Sequence, residues 1–205
     1  MSGCRLPESS CDRSRTRTSP ATSETNSSSN EAIFCRVSND TASRIAAFDL
    51  SPVRFRPNAV ATLRDNSIRH NGATGVSVLS APAVVTLTRN ELTANAGAGF
   101  LAVGGSSVLE GNTISRTTIL ESTGQGEGLL FLNGAMAELS DNTLTDNTRN
   151  GVLLMALSSA VMSDNEIRGS GRYGVECLGA YAELVKGNVL QDNAQGRTVG
   201  CSPRP

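Results

Sequence analysis

The chain has 205 residues, 18 Lys and Arg against 19 Asp and Glu, a formal charge of −1, 3% aromatic residues and no Trp. That length accommodates one domain plus a tail, and the near-neutral balance supplies no basic field, so nucleic acid and anionic membranes are disfavoured as partners. No stretch approaches the roughly 18 consecutive apolar residues of a membrane-spanning helix.

Residues 1–45 read as a disordered tail. Between Pro7 and Asn30 the sequence is dominated by Ser, Thr, Arg, Asn and Glu, with almost no large apolar side chain to offset the entropy of ordering. No apolar run of the signal-peptide kind follows the N-terminus, and Cys4 stands too close to it for a lipoprotein signal. The expectation is a start further upstream, ahead of the alternatives that the protein is retained or exported by another route. Apolar residues return from Ile33 to Phe55, and residues 46–57 are expected to form a cap or lead-in, as an irregular turn or short helix. Cys4, Cys11 and Cys35 show no metal-site spacing.

From residue 58 to 201 one phrase repeats. Asn66, Asn90, Asn112, Asn142, Asn165 and Asn188 recur at intervals of 24, 22, 30, 23 and 23 residues, a period that signals a solenoid. Five residues later comes a second column, Asn71, Asn95, Asn147 and Asn193, with Thr117 and Ser170 standing in. Four residues beyond it lies a glycine, at Gly75, Gly99, Gly151 and Gly174, followed by a strand-like run. The long interval holds an insertion at 115–127.

Each repeat contains three short apolar pieces with period-two alternation, separated by Asn, Gly and Asp, which suit tight bends. Three strands and three bends describe a flattened triangular coil, and stacked coils form parallel sheets. The predicted inward columns are Val76, Phe100, Leu129, Val152 and Val175; Leu63, Leu87, Leu109, Leu139, Met162 and Val185; and Ile68, Leu92, Ile114, Leu144, Ile167 and Leu190. A side-chain amide at one height on every coil has the donors and acceptor to bond a bend and its counterpart in the next coil, so the asparagines read as a structural ladder.

The pattern Asn-x-(Ile/Leu)-x-x-Asn-x-x-x-Gly-(Val/Phe)-x-(Val/Leu), complete at residues 66–78 and 142–154, resembles the right-handed parallel β-helix repeat family, the pectate-lyase-like scaffold. The resemblance implies an all-β, right-handed, single-stranded parallel β-helix of about six 22–24-residue coils, and an extracellular or cell-surface location. It leaves the activity open, since the architecture carries polysaccharide lyases, hydrolases, epimerases, adhesins and proteins without known chemistry. The motifs of its polygalacturonases, mannuronan epimerases and pectate lyases are absent from this chain, so no catalytic residue and no cofactor is predicted.

Several positions remain as candidates. The outward residues after the repeated glycine, Ser77, Leu101, Leu130, Leu153 and Glu176, form a largely apolar face that is poor as a catalytic cleft. It is expected either to be covered by the tail or the insertion, or to serve as an interface through Leu101, Leu130 and Leu153. Asp141 and Asp164, with Asp146 nearby, are weak candidates for Ca2+, against the plainer role of aspartate at a bend. His70 reads as a solvated turn residue. In the insertion, Glu121, Gln125 and Glu127 are candidates for contact with a sugar or cation, against the plainer reading of a glycine-bearing connector. Cys177 and Cys201, in successive coils, fall within disulfide range if one extra turn residue brings them into register; the plainer expectation is a core cysteine and a free thiol.

The functional expectation is a non-catalytic surface module, structural or binding, with polysaccharide or a protein as partner. The alternatives are a fragment of a polysaccharide-active enzyme whose catalytic coils are missing, and a solenoid that self-associates through an open C-terminal coil, since no cap precedes the closing residues 202–205.

Overall fold

The computed structural model describes residues 42–43, 53–55, 57–79 and 81–202. The expected tail at 1–45 and lead-in at 46–57 fall outside these residues, apart from 42–43, 53–55 and 57, and so do 203–205. Among the described residues every regular element is a strand, twenty in all, and no helix is long and apolar enough to cross a membrane.

The strands fall into three parallel sheets because the chain advances by one coil before it returns to the same side. Sheet I stacks β1 (Ala42–Ser43), β4 (Ser67–Arg69), β7 (Glu91–Thr93), β10 (Thr113–Ser115), β13 (Thr143–Thr145), β16 (Glu166–Arg168) and β19 (Val189–Gln191). Sheet II stacks β2 (Val53–Phe55), β5 (Val76–Leu79), β8 (Gly97–Val103), β11 (Gly126–Leu132), β14 (Val152–Met155), β17 (Tyr173–Leu178) and β20 (Gly196–Val199). Sheet III has six strands: β3 (Val60–Arg64), β6 (Val84–Thr88), β9 (Ser106–Glu110), β12 (Met136–Ser140), β15 (Ser159–Ser163) and β18 (Tyr181–Leu184). This is a parallel β-solenoid of about six turns.

The inward columns form one continuous core. Its members include Val76, Phe100, Leu129, Val152 and Val175 from sheet II, Leu63 to Met162 from sheet III and Ile68 to Leu190 from sheet I. The last coil departs from expectation: Leu184, not Val185, pairs with Met162, and Val185 is exposed. Six residues rather than five separate this strand's last inward position from Leu190, so the extra residue pushes Val185 out of the column.

The asparagine ladder is continuous from Asn66 to Asn188. Each asparagine donates its backbone N–H and its Nδ2 to the Oδ1 of the next, as Asn112 does to Asn142 at 3.0 Å and 3.0 Å and Asn142 to Asn165 at 3.0 Å and 3.0 Å. The other Nδ2 hydrogen goes to a strand carbonyl of the coil before, Leu109 in the case of Asn142 at 2.7 Å. From Asn90 to Asn165 each ladder amide thereby finds partners for both its oxygen and its nitrogen inside the coil stack, where a lone polar group would be costly. The second column behaves likewise in part: Asn71 donates to Asn95, and Thr117 donates through both N–H and hydroxyl to Asn147.

The residue before each ladder asparagine is left-handed: Asp65, Arg89, Gly111, Asp141, Asp164 and Gly187 all have φ between 53° and 74°. Asp and Gly recur there because they enter that region most readily. The repeated glycine has a different reason. A Cβ on Gly151 would stand 2.7 Å from the carbonyl oxygen of Gly174 and 2.3 Å from Ile167 Cγ2, so the coil spacing itself leaves no room for a side chain.

Candidate functional site

The outward face of sheet II gathers most of the unusual chemistry. Leu130, Leu153 and Glu176 occupy one register column across β11, β14 and β17. Leu130 is 1% exposed and Leu153 5%, and with Ala98 they make a second apolar cluster, separate from the core, around which Leu101, Leu132 and Met155 pack. Leu130 and Leu153 are shielded, and of the three leucines named as an interface only Leu101 is partly accessible. An outward direction follows from strand alternation, but exposure depends on what surrounds the side chain.

At the entry to these strands lies a charged cluster. Glu127 pairs in register with Ala98, which puts it on the same face, and its carboxylate is 1% exposed. Arg149 of the following coil brings Nε to 2.9 Å of Glu127 Oε1, close as an ion pair although the N–H is not aligned for a hydrogen bond. The Gly126 N–H donates to Glu127 Oε2 at 2.8 Å, and Arg149 Nη1 donates to the Gly124 carbonyl at 2.6 Å. Burial raises the Glu127 carboxyl above its ordinary range, with the Gly126 N–H and the Arg149 charge only partly opposing it.

One coil further on the arrangement recurs with the roles exchanged. Asn150 Nδ2 donates to Glu176 Oε2 at 2.8 Å, and Arg172 Nη1 stands 3.6 Å from the same oxygen. Asn150 Oδ1 accepts from the Tyr173 N–H at 3.1 Å, and the Arg172 guanidinium lies 6.0 Å from the Tyr173 ring centroid.

The insertion borders this cluster. Thr118 still pairs with Ala96 and Gly126 with Gly97, so the extra chain is 119–125. It folds on itself through Leu120, whose N–H donates to the Gln125 carbonyl and whose carbonyl accepts from Thr123 and Gly124. Glu121 is exposed and Gln125 half-buried, whereas Glu127 is a buried strand residue tied to Arg149. The period-two pattern did not mark Glu127 as part of a strand because the flanking glycines resemble loop sequence; its alignment 23 residues before Asn150 was the available signal.

The other candidates are explained by the bends. Asp141 and Asp164 occupy the left-handed position before their asparagines, and His70 and Asp146 the equivalent position before Asn71 and Asn147. Asp164 lies so close to Gly187 that a Cβ there would collide with its carboxylate. Among the described residues no three His, Cys, Asp or Glu side chains gather as a metal site.

Cys177 and Cys201 form a disulfide with their Cα atoms 4.9 Å apart, which corrects the expectation of a free thiol. Val175 pairs with Thr198 and Glu176 with Val199, so Gly200 falls opposite Cys177, and its left-handed φ of 68° turns the chain so that the next residue makes the bond. The extra turn residue is Gly200.

The family described as right handed beta helix region matches residues 21–119 and 109–203, and the chain belongs to it. No curated protein matches the chain.

Proposed function

We propose that this right-handed β-helix is a non-catalytic structural or binding module of the extracellular or cell-surface kind, with polysaccharide or a protein as the partner it holds. The observation that carries the reading is the state of the carboxylates on the outward faces of sheets I and II. Glu127 is held by Arg149 and the Gly126 N–H, and Glu176 by Asn150 and Arg172. Glu91 accepts from Ser67 and Thr93, and Glu166 pairs with Arg168. A general acid or base must reach its substrate within hydrogen-bonding distance, and these groups already serve the chain's own donors. The Cys177–Cys201 disulfide supports an oxidising compartment, where such bonds persist.

The runner-up, a fragment of a polysaccharide-active enzyme, draws on Glu127. A buried carboxyl with a raised pKa beside an arginine of the next coil is the kind of perturbed group that active sites use. Incubation with acidic polysaccharides, with and without calcium, separates the two readings by the absorbance of unsaturated products and by reducing ends. No turnover is expected; turnover abolished by Glu127→Gln would overturn the module reading. Retention of the protein on an immobilised polysaccharide column, compared with a protein-only matrix, then assigns the partner class.

A further inference from the structure

The outward faces of the coil differ in how their charges are used. On sheets I and II the carboxylates of Glu91, Glu127, Glu166 and Glu176 already serve the chain's own donors. On sheet III the middle outward column runs in register from Thr86 through Val108, Glu138 and Val161 to Glu183. Glu138 and Glu183 are both exposed, and among the described residues neither takes part in an ion pair or a hydrogen bond. No Lys or Arg occupies an outward position on β6, β9, β12, β15 or β18. Lys186, the chain's only lysine, stands in the bend after β18.

The same face carries open apolar side chains in the interior of the stack, on strands with a sheet neighbour on either side. Val84 is 49% exposed, Met136 48% and Val161 46%, and Val108 and Tyr181 stand half-buried beside them. Their exposure sets them apart from Leu130 and Leu153, which are shielded on sheet II. An open apolar patch bordered by polar groups marks a contact surface.

Charge decides which partner suits it. A second copy laid on this face would bring Glu110, Glu138 and Glu183 together with only Arg64 to oppose them, and like charges across a contact repel. Nucleic acid and acidic polysaccharide meet the same repulsion. A neutral sugar chain finds one aromatic ring there, Tyr181. A protein surface that presents Lys or Arg beside apolar side chains answers both features at once.

Spacing narrows the partner further. Glu138 and Glu183 are two strands apart, with Val161 between them, a separation of about 10 Å. Residues seven apart on one face of an α-helix are about 10.5 Å apart, and those three or four along lie between them. The outward columns of a five-residue strand such as β12 span about 13 Å, close to the width of a helix with its side chains, about 10–12 Å.

Resting on the reading of this protein as a non-catalytic binding module, we propose that the outward face of sheet III docks a basic amphipathic helix of a partner protein. The helix lies along the coil axis, with Lys or Arg seven residues apart on Glu138 and Glu183 and an apolar side chain between them on Val161.

The probe is a synthetic amphipathic peptide of about 20 residues, long enough to hold a helix, with Lys at every seventh position and Leu three and four residues after each Lys. It carries a fluorescent label and is titrated with the full-length protein at low salt, binding being read from anisotropy. Saturable binding is expected, weakened by added salt and weakened about 5-fold by Glu138→Lys and by Val161→Ser. Glu121→Lys, the same charge change in the exposed insertion, is expected to leave it unaltered. All three positions are exposed, so each variant should keep the wild-type circular dichroism. A peptide that does not bind, or an equal loss with Glu121→Lys, would overturn the proposal. So would a concentration-dependent dimer dissolved by Val161→Ser, which makes the occupant a second copy, or retention on a neutral polysaccharide lost with Glu138→Lys. None of these outcomes touches the non-catalytic reading, which falls on polysaccharide turnover and not on this titration.

Discussion

The coil built around Asn142 and the last coil, around Asn188, carry the same phrase and stand differently in the molecule. Asn142 is buried, accepts from Asn112, donates to Asn165 and reaches the Leu109 carbonyl. Asn188 accepts from Asn165 and donates to the Met162 carbonyl, but it is half-buried and no further rung follows among the described residues. Around it Leu184, Val185, Val189 and Val199 are exposed. A repeat residue thus draws its energetic weight from having a coil on both sides, as nearest-neighbour coupling in a solenoid requires.

The largest effect is expected from Asn142→Ala. It leaves the two Asn112 donors and the Leu109 carbonyl unpaired in the interior, at a cost of about 4 kcal/mol in chemical denaturation. If Asn142→Ala cost no more than the same change at Asn188, the contrast between middle and end would collapse. Gly151→Ala should come next, at about 3 kcal/mol, since its methyl group would overlap the Gly174 carbonyl and Ile167.

At the end of the stack, Cys201→Ser is expected to cost about 2 kcal/mol. It releases a closed segment spanning 24 residues, and hydrogen exchange should show the loosening confined to β20 and its neighbours. Unchanged protection in β20 would mean that strand pairing alone holds it.

Glu127, in the middle of the stack, should show itself as a slope rather than a level. Its folded-state pKa lies above the ordinary 4.5, so the folded protein binds the proton more tightly than the unfolded chain does. Its contribution to stability is then complete below about 4.5 and declines as pH rises toward the raised value. Comparing Glu127→Gln with wild type over this window should show the difference in unfolding free energy changing in that direction, and a flat difference would contradict the burial argument. The smallest effect is expected from Asn188→Ala, about 1 kcal/mol, because water can reach the donors it leaves behind.

Much of the architecture was legible in the residues. The ladder from Asn66 to Asn188, the aliphatic columns and the left-handed bends at Asp65, Asp141 and Asp164 all repeat at one period, and local chemistry suffices to read them. The candidate site was less legible. Leu130 and Leu153 were recognisable as outward but not as shielded, and Glu127 looked like part of a loop because glycines flank it.

By itself, the sequence determined the coil: its length, its three strands, which side chains face inward and where the asparagines stack, because each follows from short-range alternation repeated many times. The tertiary structure alone decided the rest. One added residue between Leu184 and Leu190 put Val185 outside its column and a second, Gly200, brought Cys201 to Cys177, while register set Glu127 against Arg149 and Glu176 against Asn150. A single-residue step between coils leaves the local pattern intact yet changes which side chains meet, and burial and pairing depend on those meetings.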